Sequence, residues 1–161
     1  MAKRMDFGFG IFPFDRYQSV LRVVAAAQGG APPGPDQVLP PEHLRPPEWP
    51  LAEMATKPCY DVPTLAAFLA ASTTNVKLLS GVTVIPYHPP VTFAKALATL
   101  DVLSGGRVRL GAGAGWMKAE FRRLNIPFEE RSAITDEYLA AMQELWSADA
   151  PRFSGKYVSF E

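Results

Sequence analysis

Residues 76–115, VKLLSGVTVIPYHPPVTFAKALATLDVLSGGRVRLGAGAG, decide the fold. Val76 to Ile85 is nearly continuous in apolar and β-branched residues, with Val82, Thr83, Val84 and Ile85 in a row. A strand that is apolar on both faces belongs to a parallel sheet covered by helices. Pro90 to Leu103 then changes period: Phe93, Leu97, Leu100 and Leu103 recur every three or four residues, which predicts a helix. Ser104-Gly105-Gly106 closes that helix in a tight turn. Val108, Leu110 and Ala112 form a second strand, which runs into Gly113-Ala114-Gly115-Trp116. Strand, helix, strand in one run is a βαβ unit.

The same alternation extends in both directions. Phe7, Phe9 and Ile11 alternate with Asp6, Gly8 and Gly10, so a first strand ends near Phe12-Pro13. Tyr17, Val20, Leu21, Val24 and Ala27 give a helix from Arg16 to Gln28, stopped by Gly29-Gly30. Asp36 to Leu39 is a short second strand, cut off by Pro40-Pro41. Asp61 to Thr73 carries Leu65, Phe68, Leu69 and Ser72 on one helical face, and a long helix spans Ser132 to Trp146. The tail, Arg152 to Glu161, alternates around Ser154-Gly155 as a hairpin or extended arm. Right-handed crossovers leave two layouts, an open doubly wound sheet or a closed barrel. A complete (β/α)₈ barrel takes about 250 residues. Its 161 residues make the chain a single α/β domain amounting to about half of a TIM-type barrel, if the sheet is of that kind. Of the 16 prolines, eight lie between Pro32 and Pro50, so residues 29–60 form a proline-rich loop or insertion within the domain.

Composition limits what such a domain does. Apolar residues make up 48% and charged residues 20%, enough for a packed core. The charge sum is 16 − 16 = 0 with no run of like charges, which argues against a nucleic-acid partner. A lone cysteine, Cys59, excludes an internal disulfide framework and a multi-cysteine metal site. No apolar run approaches the roughly 18 residues of a membrane span. The opening from Met1 to Phe14 lacks a signal-peptide body, so a cytoplasmic protein is expected.

In parallel α/β proteins ligands bind beyond the carboxyl ends of the strands. Those ends deliver Phe12-Pro13, Glu42-His43, Pro86-Tyr87-His88 and Gly113-Ala114-Gly115-Trp116. His43 beside Glu42 is placed to exchange a proton near neutral pH; the plain alternative is a solvent-exposed loop histidine. His88-Pro89-Pro90 reads better as a helix start. Gly111 to Gly115 lets backbone approach a flat ring or a phosphate, although it lacks the spacing of the dinucleotide fingerprint. Trp116 is either a pocket wall or core. With no Walker loop, zinc spacing or Gly-x-Ser-x-Gly elbow, a redox or isomerase pocket is what remains.

The run from His88-Pro89-Pro90-Val91 through Ala98-Thr99-Leu100-Asp101-Val102-Leu103-Ser104-Gly105-Gly106-Arg107 strongly resembles the bacterial luciferase-like monooxygenase family. Val108 to Trp116, Glu120-Phe121, Ile126-Pro127-Phe128, Glu130-Arg131 and Thr135-Asp136-Glu137-Tyr138 continue the resemblance in order and spacing over about residues 61–161. The strand Phe7 to Pro13 fits the family's opening. The resemblance implies a (β/α)₈ barrel that uses FMN or coenzyme F420, with the closest look to the F420-dependent branch. It implies a small organic substrate, a homodimer and redox chemistry carried by the cofactor. Glu42-His43 occupies the place of the family's acidic–His pair, with glutamate where aspartate is usual, and His43 would act in proton transfer. Gly81-Val82-Thr83 lies where the family has a bulge with a cis peptide against the ring, placed at Gly81-Val82. Phe12, Gly113, Gly115 and Trp116 match the cofactor side of their strands. Ser104 to Arg107 falls at the opposite face and is expected to serve stability.

The chain departs from the family pattern in its proline-rich insertion and in stopping where the family continues with about four more strand–helix units. Two other readings therefore stand beside the oxidoreductase. One is a non-catalytic half-barrel that self-associates or serves as an interaction subunit. The other is an independent doubly wound domain with its ligand on the glycine-rich turn.

Overall fold

The computed structural model describes residues 8–10, 24, 25, 28, 37–39, 42–44 and 60–161. The chain divides into two compact units: 1–83 with 100–111, and 84–99 with 112–161.

The first unit is built on a parallel sheet. Strands β1 (Gly8–Gly10), β2 (Gln37–Leu39), β3 (Lys77–Leu79) and β5 (Val108–Arg109) lie in the order β1-β2-β3-β5. Phe9 stands opposite Val38, Val38 opposite Leu78, and Leu78 opposite Val108, every pair parallel. Within this sheet each strand neighbours the next of the sheet's own members along the chain. That order suits a barrel, whereas an open doubly wound sheet reverses at a switch point.

Helix α1 (Val62–Ser72) starts where Asp61 accepts a 2.9 Å hydrogen bond from the Thr64 amide, satisfying one of the free donors of the first turn. It buries Val62, Leu65 and Leu69. Leu65 and Leu69 join Val24, Val76 and Leu78 in the core, with Tyr60, Ala70, Leu100 and Val108 packed around them. Fully burying one such side chain stabilises by about 1.5–3 kcal/mol. Leu69 keeps only 1% of its surface exposed.

Arg107 closes the amino end of this sheet. Its Nε donates to the Ser104 carbonyl at 2.7 Å, and Nη2 to the Ala70 carbonyl at 2.8 Å. Nη1 donates to Thr73 Oγ1 at 3.0 Å and to the Val76 carbonyl at 3.1 Å. The carbonyls of Ala70 and Ser104 come from the last turns of α1 and α2 (Pro90–Ser104), where helical partners run out. Gly105 and Gly106, at φ 74° and 80°, let α2 turn back toward β5.

The second unit holds β4 (Thr83–Val84, at its boundary) paired with β6 (Ala112–Gly113), and a 3₁₀ turn at Ile85–Tyr87. After these come α3 (Lys118–Arg123), a 3₁₀ turn at Phe128–Glu130 and α4 (Arg131–Ser147). Ile85, Phe93, Ala94, Phe121, Ile134, Ala141 and Met142 are buried. Trp146 Nε1 donates to the Ala94 carbonyl at 3.1 Å. The chain ends in an antiparallel hairpin of β7 (Phe153–Ser154) and β8 (Ser159–Phe160). Glu137 of α4 accepts from three consecutive backbone amides of its turn, at 3.0 Å from Lys156, 2.6 Å from Tyr157 and 2.9 Å from Val158. Burial works against the Glu137 carboxylate, but these amides and the Lys156 charge prevail and hold its pKa below the ordinary value.

Four expectations need correction. The strand expected over 76–85 is interrupted between Leu79 and Thr83, and the strand expected over 108–112 breaks between Arg109 and Ala112. Both interruptions come where the two segments hydrogen-bond to each other through Ser80 and Gly111. Phe68 is 39% exposed and Leu103 80% exposed, so neither joins the core that helical spacing assigned to it. Of the helix expected over 16–28, Val24, Ala25 and Gln28 are described and are helical.

Candidate functional site

The parallel register places the ends of β2, β3 and β5 on one side of the first unit's sheet. Glu42, His43 and Leu44 follow β2 there; Glu42 is buried, His43 half-buried and Leu44 exposed.

The segment after β3 is the most constrained. Ser80 donates its amide to the Arg109 carbonyl at 3.2 Å, continuing the ladder past the strand end. Its hydroxyl accepts from the Gly111 amide at 3.0 Å and donates to the Gly111 carbonyl at 3.1 Å. The Thr83 amide then donates to the same carbonyl at 2.7 Å. Ser80 and Thr83 are buried while Gly81 and Val82 between them are exposed, Val82 by 44%. The Gly81–Val82 peptide bond is cis, at the position the family resemblance implies. Gly111 admits no side chain here, because a Cβ would overlap the Ser80 carbonyl oxygen. The result is an apolar side chain and a bare glycine presented at a sheet end, with both flanks fixed.

In the second unit the turn after β6 carries Gly113, Ala114, Gly115 and Trp116. Gly115 has φ 77°, and a Cβ on it would meet Val84 Cγ1 at 2.7 Å and the Phe121 ring at 2.9 Å. Glycine is thus required both by conformation and by contact. Trp116 is 60% exposed, so it is no core residue. His88 stacks on Phe93, with ring centroids 4.1 Å apart and planes at 12°, ahead of α2. That agrees with a role in starting the helix.

Phe12 lies outside the described residues. Among the described residues no group of three or more His, Cys, Asp or Glu could hold a metal ion, and no helix is long and apolar enough to cross a membrane.

Two features passed unnoticed in the sequence. Ser80 fixes the bulge, and nothing but its position between strand and glycine signals this. The hydrogen bond from Tyr87 to the buried Glu120 escaped because α3 is too short to show a period.

Residues 7–161 match the profile of the luciferase-like monooxygenases. The chain belongs to that family. Among its relatives, pyrimidine monooxygenase RutA of Bradyrhizobium sp. is 39% identical over 99 residues, covering 58% of this chain and 27% of that protein. The FMNH(2)-dependent dimethylsulfone monooxygenase of Pseudomonas putida is 32% identical over 100 residues, or 60% of this chain and 27% of the relative. Monooxygenase RslO1 from Streptomyces bottropensis superposes with a TM-score of 0.82 at 26% identity, over 97% of this chain and 47% of that one. The coenzyme F420-dependent tetrahydromethanopterin reductase from Methanopyrus kandleri shares the fold, with a TM-score of 0.73, 22% identity and coverage of 99% and 45%. The chain therefore spans about half the length of these solved structures. These solved structures share the α/β fold to which the parallel strands here belong, and the Pseudomonas putida relative is FMNH(2)-dependent by name.

The residues present suit such a cofactor. A flavin or deazaflavin ring has an apolar face and polar edges, and the exposed Val82 and the bare Gly81 offer it apolar surface and backbone.

Proposed function

We propose that this chain forms the FMN- or F420-binding portion of a luciferase-like oxidoreductase acting on a small organic substrate. The observation that carries the reading is the Ser80–Thr83 segment, whose exposed centre at a strand's carboxyl end is locked on both sides to Gly111. Gly81 and Val82 hold one side of the ring system, and the buried Thr83, expected to share in that contact, instead anchors them through its amide. The family resemblance assigns cofactor contact to Phe12, Gly113, Gly115 and Trp116 as well. When bound, the cofactor supplies hydride or electron transfer, a chemistry no side chain here provides. His43 exchanges a proton at the substrate side and Glu42 orients it.

Titration of the full chain with FMN and with F420 in parallel tests this. Saturable binding of one of them is expected; a folded chain that binds neither overturns the reading. With the cofactor that binds, His43→Ala lowers turnover and leaves the unfolding midpoint unchanged. An undiminished rate removes His43 from the chemistry. A second reading starts from β1 and β5, the outer strands of the described sheet, and takes the unit as one that self-associates through them. Light scattering that gives a dimer lacking cofactor affinity would favour it.

A further inference from the structure

Glu120 is 1% exposed, although charged groups are seldom buried without a specific partner. Its Oε2 accepts a 2.7 Å hydrogen bond from the Tyr87 hydroxyl. Tyr87 ends the 3₁₀ turn that follows β4. Its ring meets Phe121 edge-on, with centroids 5.2 Å apart and planes at 66°. Phe121 in turn walls the space that Gly115 leaves by having no side chain. Glu120 and Phe121 both donate their amides to the Met117 carbonyl, at 2.9 and 3.4 Å, directly after Trp116. One carboxylate thus ties the turn after β4 to α3, whose first-turn amides hold the Met117 carbonyl at the end of the turn after β6, within a single compact unit.

A buried carboxylate is a poor choice for stability alone, since well-packed apolar residues often do as well or better. What it adds is direction, because the hydrogen bond fixes where Tyr87 and the start of α3 stand. We propose that Glu120 and Tyr87 are positioning residues that hold the Gly113–Met117 turn, and with it Trp116, in the form that meets the cofactor. The cofactor clause rests on the function proposed above; the bracing of the turn does not.

Two substitutions in the full chain separate these roles, read by amide hydrogen exchange and by FMN titration. Tyr87→Phe keeps the ring and deletes the hydroxyl. It is expected to speed exchange over residues 113–117 about tenfold, to leave residues 131–147 at wild-type rates, and to raise the Kd for FMN by about tenfold. Glu120→Gln retains an oxygen acceptor for the hydroxyl and is expected to exchange over 113–117 more slowly than Tyr87→Phe. Wild-type exchange over 113–117 in Tyr87→Phe overturns the proposal. So does acceleration spread equally through 131–147, which marks general loss of packing, or a Glu120→Gln chain as fast as Tyr87→Phe. If wild-type chain binds no FMN, the proposed function loses its FMN form, and exchange over 113–117 alone decides the brace.

Discussion

At the amino end of β5, the Arg107 guanidinium gives four hydrogen bonds, to Ala70, Thr73, Val76 and Ser104. At the carboxyl end of β3, Gly81 and Val82 stand exposed between two anchored neighbours. Both ends depend on particular residue types, and both use backbone groups that the strands leave over. They differ in where the specificity points. Arg107 turns its donors inward, onto carbonyls at the ends of two helices and a strand approach. The Ser80–Thr83 segment turns its polar groups inward too, but leaves an apolar surface facing out. Barrel enzymes divide their labour this way, with stability on the amino face and ligand contact on the carboxyl face.

The comparison breaks most easily at Arg107. Arg107→Ala leaves the carbonyls of Ala70, Val76 and Ser104 and the Thr73 hydroxyl without that partner at once. Hydrogen bonds from a charged donor are individually strong, and a loss of about 3 kcal/mol is expected. Urea denaturation reads this as a lowered midpoint at constant slope. Arg107→Lys keeps the charge but not the planar fork, and recovers only part of the loss. A midpoint unchanged in Arg107→Ala would mean that the amino face is not the stabilising one.

Gly111→Ala comes next. Its Cβ would overlap the Ser80 carbonyl oxygen, a backbone atom that cannot swing aside. Overpacking of this kind costs about 2 kcal/mol. The displaced atoms are those that fix Gly81 and Val82, so stability and cofactor affinity should fall together. Gly105→Ala is the control: nothing lies within 4 Å of its Cβ, and only the positive φ of 74° resists. A Gly111→Ala chain no less stable than Gly105→Ala would show that the contact across Ser80 is not what shapes this end.

These contrasts also explain what could be read from residues alone. Long periodic segments were legible: α1, α2 and α4 fall within a residue or two of Asp61–Thr73, Pro90–Leu103 and Ser132–Trp146. The short β2 was legible at Gln37–Leu39 because prolines bound it. The breaks in the strands were not. Val82 is as apolar as Val84, and hydrophobicity carries no mark of which one faces solvent; that depends on Ser80 and Gly111 meeting across two strands. The exposure of Leu103 was equally hidden, since helical spacing names a face but not what covers it. In Gly113-Ala114-Gly115 the glycine pattern pointed to close backbone approach, and Gly115 takes the φ of 77° that favours glycine. The Tyr87–Glu120 pair stayed silent because its members lie 33 residues apart and neither belongs to a motif of chemistry.

The smallest effect on stability is also the sharpest test of the contrast. Val82 is 44% exposed and sits outside the first unit's core. Val82→Ala should change the unfolding free energy by less than about 0.5 kcal/mol, as substitutions away from packed features do. Affinity is a different matter if Val82 faces the ring. Losing its two methyl groups from an apolar contact weakens binding by roughly 1 kcal/mol, about fivefold in Kd. Arg107→Ala should show the reverse ratio, with a large loss of stability and, at temperatures where the chain stays folded, little loss of affinity. Fluorescence titration with FMN or F420 beside urea denaturation yields both quantities for both variants. If Val82→Ala lowers stability as much as it lowers affinity, the carboxyl end is packed structure like the amino end, and the ligand surface must be sought elsewhere.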